Sequence, residues 1–416
     1  PSYRIHLHVT LASFHERIHH GKSQASAASY RSIAKERLKQ PWDICRFDSP
    51  AGIGDLNYHV VSIYWIARFV GLVDNGLVAG ADDQVPSPVH SLLGIQHEVN
   101  HGILKLANIK PHRPQVLLQI IVYFNHWHAR TTKEGIQPDY SFYQHGQQLY
   151  SGGYGRGISQ DCPYFAALAA GTTFAFSEEK VDIMVRYLLD GQQWMIRNQV
   201  FDYSACGREI SRAGGGSSRG LEGACDNAAK LGHPRTAELL VMAERQRKGI
   251  GGKTPALVGN RHFWRSEYGV HHRPGYLASV RLASTRLQLS ETCNAENMRG
   301  EHLSDGINYI YRSGEEYRRI MPVWDWRKLP GITAQHIKRA PRPGGGRGTK
   351  TFAGGVSDGQ YGLAAMDFAR GRLSARKAWF FFDDEYVCLG AGIRCQTEAP
   401  VTTSLNQCLL RGDVKV

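Results

Sequence analysis

The chain has 416 residues, of which 42% are hydrophobic and 10% aromatic, enough for two or three domains with cores of their own and too apolar for a disordered polymer. With 50 Lys and Arg against 37 Asp and Glu, its net charge of +13 favours a polyanionic partner without saying where the charge sits. No stretch approaches the roughly 20 apolar residues of a membrane span, so no membrane partner is expected.

In chain order, Val60 to Val70 is short, carries Arg68 and reads as a buried helix. No basic and apolar leader precedes it, so no signal peptide is visible from Pro1 onward. The run 179–191 has apolar residues at helical spacing and stops at Gly191, and 227–247 reads as one further helix. A Gly- and Ser-rich loop, 214–218, lies between them. Helices joined by long polar loops suit a toroid or solenoid of helical hairpins whose loops line a groove. The character changes across 248–260, a Gly-, Lys- and Pro-containing linker. Beyond it 276–285 alternates, while 378–382 and 386–390 read as buried strands, with a basic Gly- and Pro-rich loop at 338–350. The expectation is an α+β chain, helical over 1–250 and antiparallel β over 251–416, with the β part unfinished at Val416. The eight cysteines show no Cys-x-x-Cys pair and are expected to be free thiols. The histidine pairs, His19 with His20, His126 with His128 and His271 with His272, show no convergent ligand set, and no metal is expected.

One constellation stands out. His145 precedes Tyr154 by nine residues in a Gly-rich segment, and Arg208 and Arg212 follow, four apart. Breaking a sugar chain beside a carboxylate without water needs a group to take a carbon-bound proton, one to protonate the leaving oxygen, and fixed cations for the charge that builds up. Tyr154 held near Arg208 would have a lowered pKa and act as base, then return the proton to the leaving oxygen. His145 would orient it or share the base role. The two arginines would share a helix face or first turn and hold Tyr154 and the anionic groups of the sugar. Taken singly, each residue has a plainer reading: a turn histidine, a loop aromatic, a solvated arginine face.

Further motifs occur in order: Asn294-Ala295-Glu296-Asn297 with Leu303-Ser304-Asp305-Gly306; Met321 to Trp326 with Pro330-Gly331; Phe352 to Gly359 with Tyr361-Gly362; Lys377 to Asp383; and Val387 to Ile393. Together with Asp139 to Gly155 and Gly207 to Arg212, they resemble polysaccharide lyase family 8, most of all chondroitin AC lyases and their hyaluronate-lyase relatives. The resemblance implies an incomplete α/α toroid followed by an antiparallel β-sandwich, and β-elimination at a uronic acid of chondroitin sulfate or hyaluronan, leaving a 4,5-unsaturated sugar. It implies catalytic roles for His145, Tyr154, Arg208 and Arg212, and a supporting role for Glu296. The asparagine that neutralises the uronate carboxylate in that family falls on Asn100, with Asn125 as a substitute. Substrate contacts are expected from Trp127, Asn297 and Gln144, with Trp194 and Trp264 as other stacking platforms. No cofactor is implied. An anionic polysaccharide is the expected partner, ahead of nucleic acid, and the chain is expected to be a monomer, secreted or periplasmic.

Alternatives stay open. Xanthan lyase is a near neighbour, and a catalytically impaired glycosaminoglycan-binding homologue would share the scaffold. Residues 3–32, through Tyr3 to Val9 and Gly21 to Ser32, faintly resemble plasmid mobilisation relaxases, which nick DNA with histidine-held metal and a tyrosine nucleophile.

Overall fold

In the computed structural model, residues 133–249 and 254–412 are described; they belong to a compact unit of Ala81–Thr292 and Glu296–Val416, apart from residues 293–295. The residues singled out at 3–32, Asn100, Asn125 and Trp127 lie outside the described residues.

The described chain begins with a short ribbon, β1 (Gly135–Ile136) against β2 (Phe142–Tyr143). Helices follow: α1 (Tyr154–Ala169), α2 (Glu178–Arg186), α3 (Leu221–Ala229) and α4 (Thr236–Lys248). The Ser177 hydroxyl caps α2 by accepting from the Lys180 amide, while Glu178, Glu179 and Arg186 sit at the ends that favour their charge. Its apolar stripe buries Val181, Met184 and Val185. The helical pattern to Gly191 continues only as a π turn, Tyr187–Gly191. The single helix expected over 227–247 is two: Gly232, at φ +71°, and Pro234 break the chain between α3 and α4. Helix α3 packs against both α1 and α4. Between α2 and α3 runs a second ribbon, β3 (Ile196–Arg197) with β4 (Val200–Phe201).

Past the helices the chain is antiparallel sheet. Strands β5 (Gly259–Phe263), β6 (Tyr268–Arg273), β7 (Tyr276–Arg281) and β8 (Ile307–Tyr311) form one four-stranded meander. After β9 (Thr333–Gln335), strands β10 (Ala353–Ser357), β11 (Gly362–Arg370), β12 (Leu373–Phe381) and β13 (Tyr386–Cys395) form a second. β14 (Val401–Thr403) returns to pair with β9. Ala278, Val280 and Leu282 from the first meander bury against Met366, Phe368, Trp379 and Phe381 of the second, which makes the two sheets a sandwich. The alternate residues of the first sheet face the helical part. Tyr268 donates to the Asp202 carboxylate at 2.8 Å, and Arg281 donates to the Ser204 carbonyl at 2.9 Å. Both faces of β6 and β7 are therefore covered, and β6 is buried along its whole length. Among the described residues no helix is long and apolar enough to cross a membrane, and no cluster of three His, Cys, Asp or Glu side chains is placed to hold a metal.

Candidate active site

Three segments build the site. The first runs from β2 into α1. Asp139 ties it down: one carboxylate oxygen accepts from the Ser141 amide and hydroxyl, the other from the Arg265 amide on the β5–β6 turn. Glu134 accepts from the Gly146 amide at 2.7 Å and from the Gln144 side chain at 2.9 Å. These bonds surround His145, which is left-handed at φ +56°, a conformation that persists only where neighbouring structure enforces it. Tyr154 opens α1. A Cβ on the next residue, Gly155, would lie 2.2 Å from the Tyr187 hydroxyl, so glycine there lets the helix start pack closely.

The second segment is a short 3₁₀ turn, Gly207–Ser211. Gly207 takes φ +53° with no room for a Cβ against the Tyr150 ring. The third is the loop after β7. The Gln288 amide donates to the Gln147 carbonyl at 3.0 Å, joining this loop to the His145 segment. Buried Asn297 donates from its side-chain amide to the Ser290 hydroxyl and the Glu291 carbonyl, both at 2.8 Å.

Arg208 is the hub. Its guanidinium is fully buried and donates through Nη2 to the Tyr154 hydroxyl at 3.1 Å, through Nε to Glu296 at 3.1 Å, and through Nη1 to Glu291, while Nη1 also lies 3.0 Å from His145 Nδ1. Glu291 Oε2 sits 2.9 Å from the same His145 nitrogen. Arg212 grips Glu296 with two bonds, 2.8 and 3.1 Å, and reaches Glu209 at 3.5 Å. The rings of His145 and Tyr154 meet edge to face with centroids 4.9 Å apart, and Tyr150 meets Tyr154 at the same separation.

Burial governs the electrostatics. It raises the Tyr154 phenol well above the ordinary tyrosine value, and the charge and hydrogen bond of Arg208 recover only part of that rise. The lowered phenol expected from the sequence is thus reversed: the resting hydroxyl is protonated. Burial also pushes Glu291 up, but its hydrogen bond to His145 and the charges of His145 and Arg208 outweigh it and hold the carboxyl below its usual range. Glu209 goes the other way. Burial lifts it to about 7 against the pull of Arg156 and Arg208.

The structure brings together His145, Tyr154, Arg208, Arg212 and Glu296 as one cluster. It places the arginines differently from the sequence expectation. Arg208 lies in the 3₁₀ turn, whereas Arg212 follows it in extended backbone, and what unites them is Glu296. Fully buried, Arg208 spends its donors on protein groups and positions rather than grips a sugar. Asn297 is buried in its own loop, and Gln144 is bonded to Glu134. Sequence reading missed Glu291, the only acid joined to both His145 and Arg208 among the described residues. Its one sequence signal is its place five residues before Glu296.

The architecture is thus helices followed by a sandwich, with a tyrosine–histidine–arginine centre at their junction. Residues 119–231 match the model of the polysaccharide lyase family 8 N-terminal alpha-helical domain, and 258–416 match that of the family's super-sandwich domain. The chain belongs to polysaccharide lyase family 8. It is 38% identical over 285 residues to chondroitinase-AC of Pedobacter heparinus, covering 68% of this chain and 41% of that protein. It is 27% identical to hyaluronate lyase of Thermasporomyces composti, covering 86% of this chain and 51% of the other. A solved chondroitinase AC lyase, studied in oligosaccharide complexes, superposes with a TM-score of 0.70 at 28% identity, covering 98% of this chain and 62% of that one. The chain thus spans about half the length, or less, of these two curated relatives.

Proposed function

We propose that this chain carries the eliminating centre of a lyase that cleaves chondroitin sulfate or hyaluronan at uronic acid residues. The observation that carries the reading is Arg208 joined at once to Tyr154, Glu291 and Glu296, with Glu291 in turn bonded to His145. Membership of the family supports the substrate class, since its relatives include a chondroitinase and a hyaluronate lyase.

In this reading His145 keeps its proton on Nδ1 and donates it in a hydrogen bond to ionised Glu291, so that Nε2 carries the lone pair. His145 Nε2 removes the C5 proton of the uronate. The C5 electron pair forms the C4=C5 bond as the C4–O4 bond breaks, and the protonated Tyr154 hydroxyl delivers its proton to the departing O4. Tyr154 accepts from Arg208, and Arg208 stabilises the phenolate that results. The adjoining rings of His145 and Tyr154 let the abstracted proton return to the phenolate, closing the cycle with no water consumed. Neutralisation of the substrate carboxylate is assigned to Asn100. Arg212, whose side chain is about a quarter exposed, is the cation of the pair that a bound sugar can reach. A polymeric substrate does not cross a cell membrane unaided, which supports a secreted or periplasmic site of action; cell fractionation with antibody detection tests that placement.

The first test is ultraviolet absorbance over time on chondroitin sulfate, hyaluronan and xanthan. Growth of the conjugated-alkene band with either glycosaminoglycan is expected and ranks the two. Activity confined to xanthan, or none on any polymer that binds, overturns the reading.

A further inference from the structure

The strongest feature outside the catalytic cluster is a groove of about 390 Å³ where β5 and the end of β10 meet the 3₁₀ turn that carries Trp194. Trp194, Arg261, His262, Trp264, Gly355 and Ser357 line it. Trp264 is 58% exposed, an unusual state for a large aromatic ring. It stands on the β5–β6 turn, whose Arg265 guanidinium lies 5.9 Å from its ring centroid. The Arg261 guanidinium lies 5.9 Å from the Trp194 ring centroid and 5.3 Å from that of Phe263, with Asp190 as a distant counter-charge at 3.9 Å. On the floor both ring nitrogens of His262 are buried without a hydrogen-bond partner. Buried polar atoms rarely stay unpaired, and such an atom calls for a missing partner. Gly355 faces this imidazole so closely that a Cβ would come within 2.5 Å of Nδ1, so the floor tolerates no side chain there.

An exposed indole, a cation held against a second indole and an unpaired imidazole are the groups that recognise a charged sugar. The apolar C–H face of a pyranose packs on a ring, a carboxylate or sulfate meets the guanidinium, and ring hydroxyls both donate and accept. We propose that this groove is a second binding site for the anionic polysaccharide, holding a stretch of the chain away from the residues that cleave it. The C–H face would lie on Trp264 and the acidic group on Arg261, with small adjustment of the floor bringing a hydroxyl to His262. The proposal rests on the reading of an anionic polysaccharide as substrate. The turn bearing Trp264 is pinned to the catalytic segment, because the Tyr143 hydroxyl donates to the Arg265 carbonyl and Asp139 accepts from the Arg265 amide. A polymer seated here is therefore held on the same body as His145.

The test measures binding of chondroitin sulfate polymer, hyaluronan polymer, a short tetrasaccharide and neutral dextran by surface plasmon resonance, in a Tyr154→Phe background that prevents cleavage. Trp264→Ala is expected to weaken binding of the anionic polymer on the order of tenfold while leaving the tetrasaccharide unchanged. Arg261→Gln should flatten the salt dependence of polymer binding. With Tyr154 intact, Trp264→Ala should raise KM for polymer and leave kcat unchanged. Unaltered polymer affinity in both variants, or failure of every anionic polymer to bind the unsubstituted chain, overturns the site. Polymer binding that Trp264→Ala abolishes in a chain without lyase activity would keep the site and remove the catalytic reading instead.

Discussion

The catalytic cluster and the Trp264 groove use arginine in opposite ways. In the cluster Arg208 is buried and answered by Glu291 and Glu296, and Arg212 is chelated by Glu296. In the groove Arg261 has one carboxylate, at 3.9 Å, and its neighbour on the floor, His262, has unpaired nitrogens. A saturated network fixes geometry and has little charge left for a ligand. An unsaturated one is poised to take a ligand and does nothing to its bonds. The lesson is that the charge of +13 does not identify the catalytic residues, whose arginines are locally neutralised.

Breaking the cluster should have the largest effects. Tyr154→Phe removes the proton that reaches the leaving oxygen while keeping the ring against His145 and Tyr150. Turnover should fall about a thousandfold with polymer affinity nearly intact, as measured by the absorbance assay and by plasmon resonance. Equal turnover would remove Tyr154 from the chemistry. Arg208→Met has a different signature. It leaves the buried Glu291 carboxylate without its guanidinium and Glu296 with Arg212 alone, and unfolding in urea should show a loss of roughly 3–5 kcal/mol. A variant as stable as the parent would mean that Glu291 finds another partner.

Next in size is Arg212→Ala. Its guanidinium is the more exposed of the pair and holds Glu296, so kcat/KM should fall about ten- to a hundredfold, with a weaker dependence of KM on salt. Unchanged kinetics would reduce Arg212 to a surface ion pair.

The order of helices then strands was legible in the sequence because periodicity survives tertiary packing: α2, β7, β12 and β13 lie where apolar spacing put them, although β13, expected as a buried strand, is exposed along most of its length because no further sheet covers it among the described residues. The break between α3 and α4 was signalled by Gly232 and Pro234 but outweighed by the Ala- and Leu-rich run on either side. Motif order drew attention to His145, Tyr154, Arg208, Arg212 and Glu296, which meet in space although Tyr154 and Glu296 are far apart in sequence. Glu291 was illegible because its role depends on the loop fold that Asn297 and Gln288 impose, and no local pattern encodes that. The direction of the Tyr154 shift was illegible for another reason. Proximity to Arg208 is visible in a motif, whereas the degree of burial, which wins, emerges only from packing.

The smallest expected effect concerns Glu209 and sharpens the comparison through pH. Its folded carboxyl is lifted to about 7 by burial, against an ordinary value of 4.5. A raised acid keeps its proton longer in the folded chain than in the unfolded one. Between about 4.5 and 7 the folded state therefore binds more protons, and stability falls as pH rises through that window. Glu209→Gln cannot ionise, so urea unfolding of the variant should lack this slope and gain on the order of 1–3 kcal/mol relative to the parent above neutrality. Activity should follow the same group. Ionised Glu209 adds negative charge near Tyr154 and holds its phenol higher, while completing the ion pair with Arg212. The parent should then show an inflection in kcat near neutral pH that the glutamine variant lacks, with the response of the Trp264 groove to pH unchanged in both. Identical profiles for parent and variant would show that the arginines already hold Glu209 ionised, making the cluster a fully charged network at every working pH.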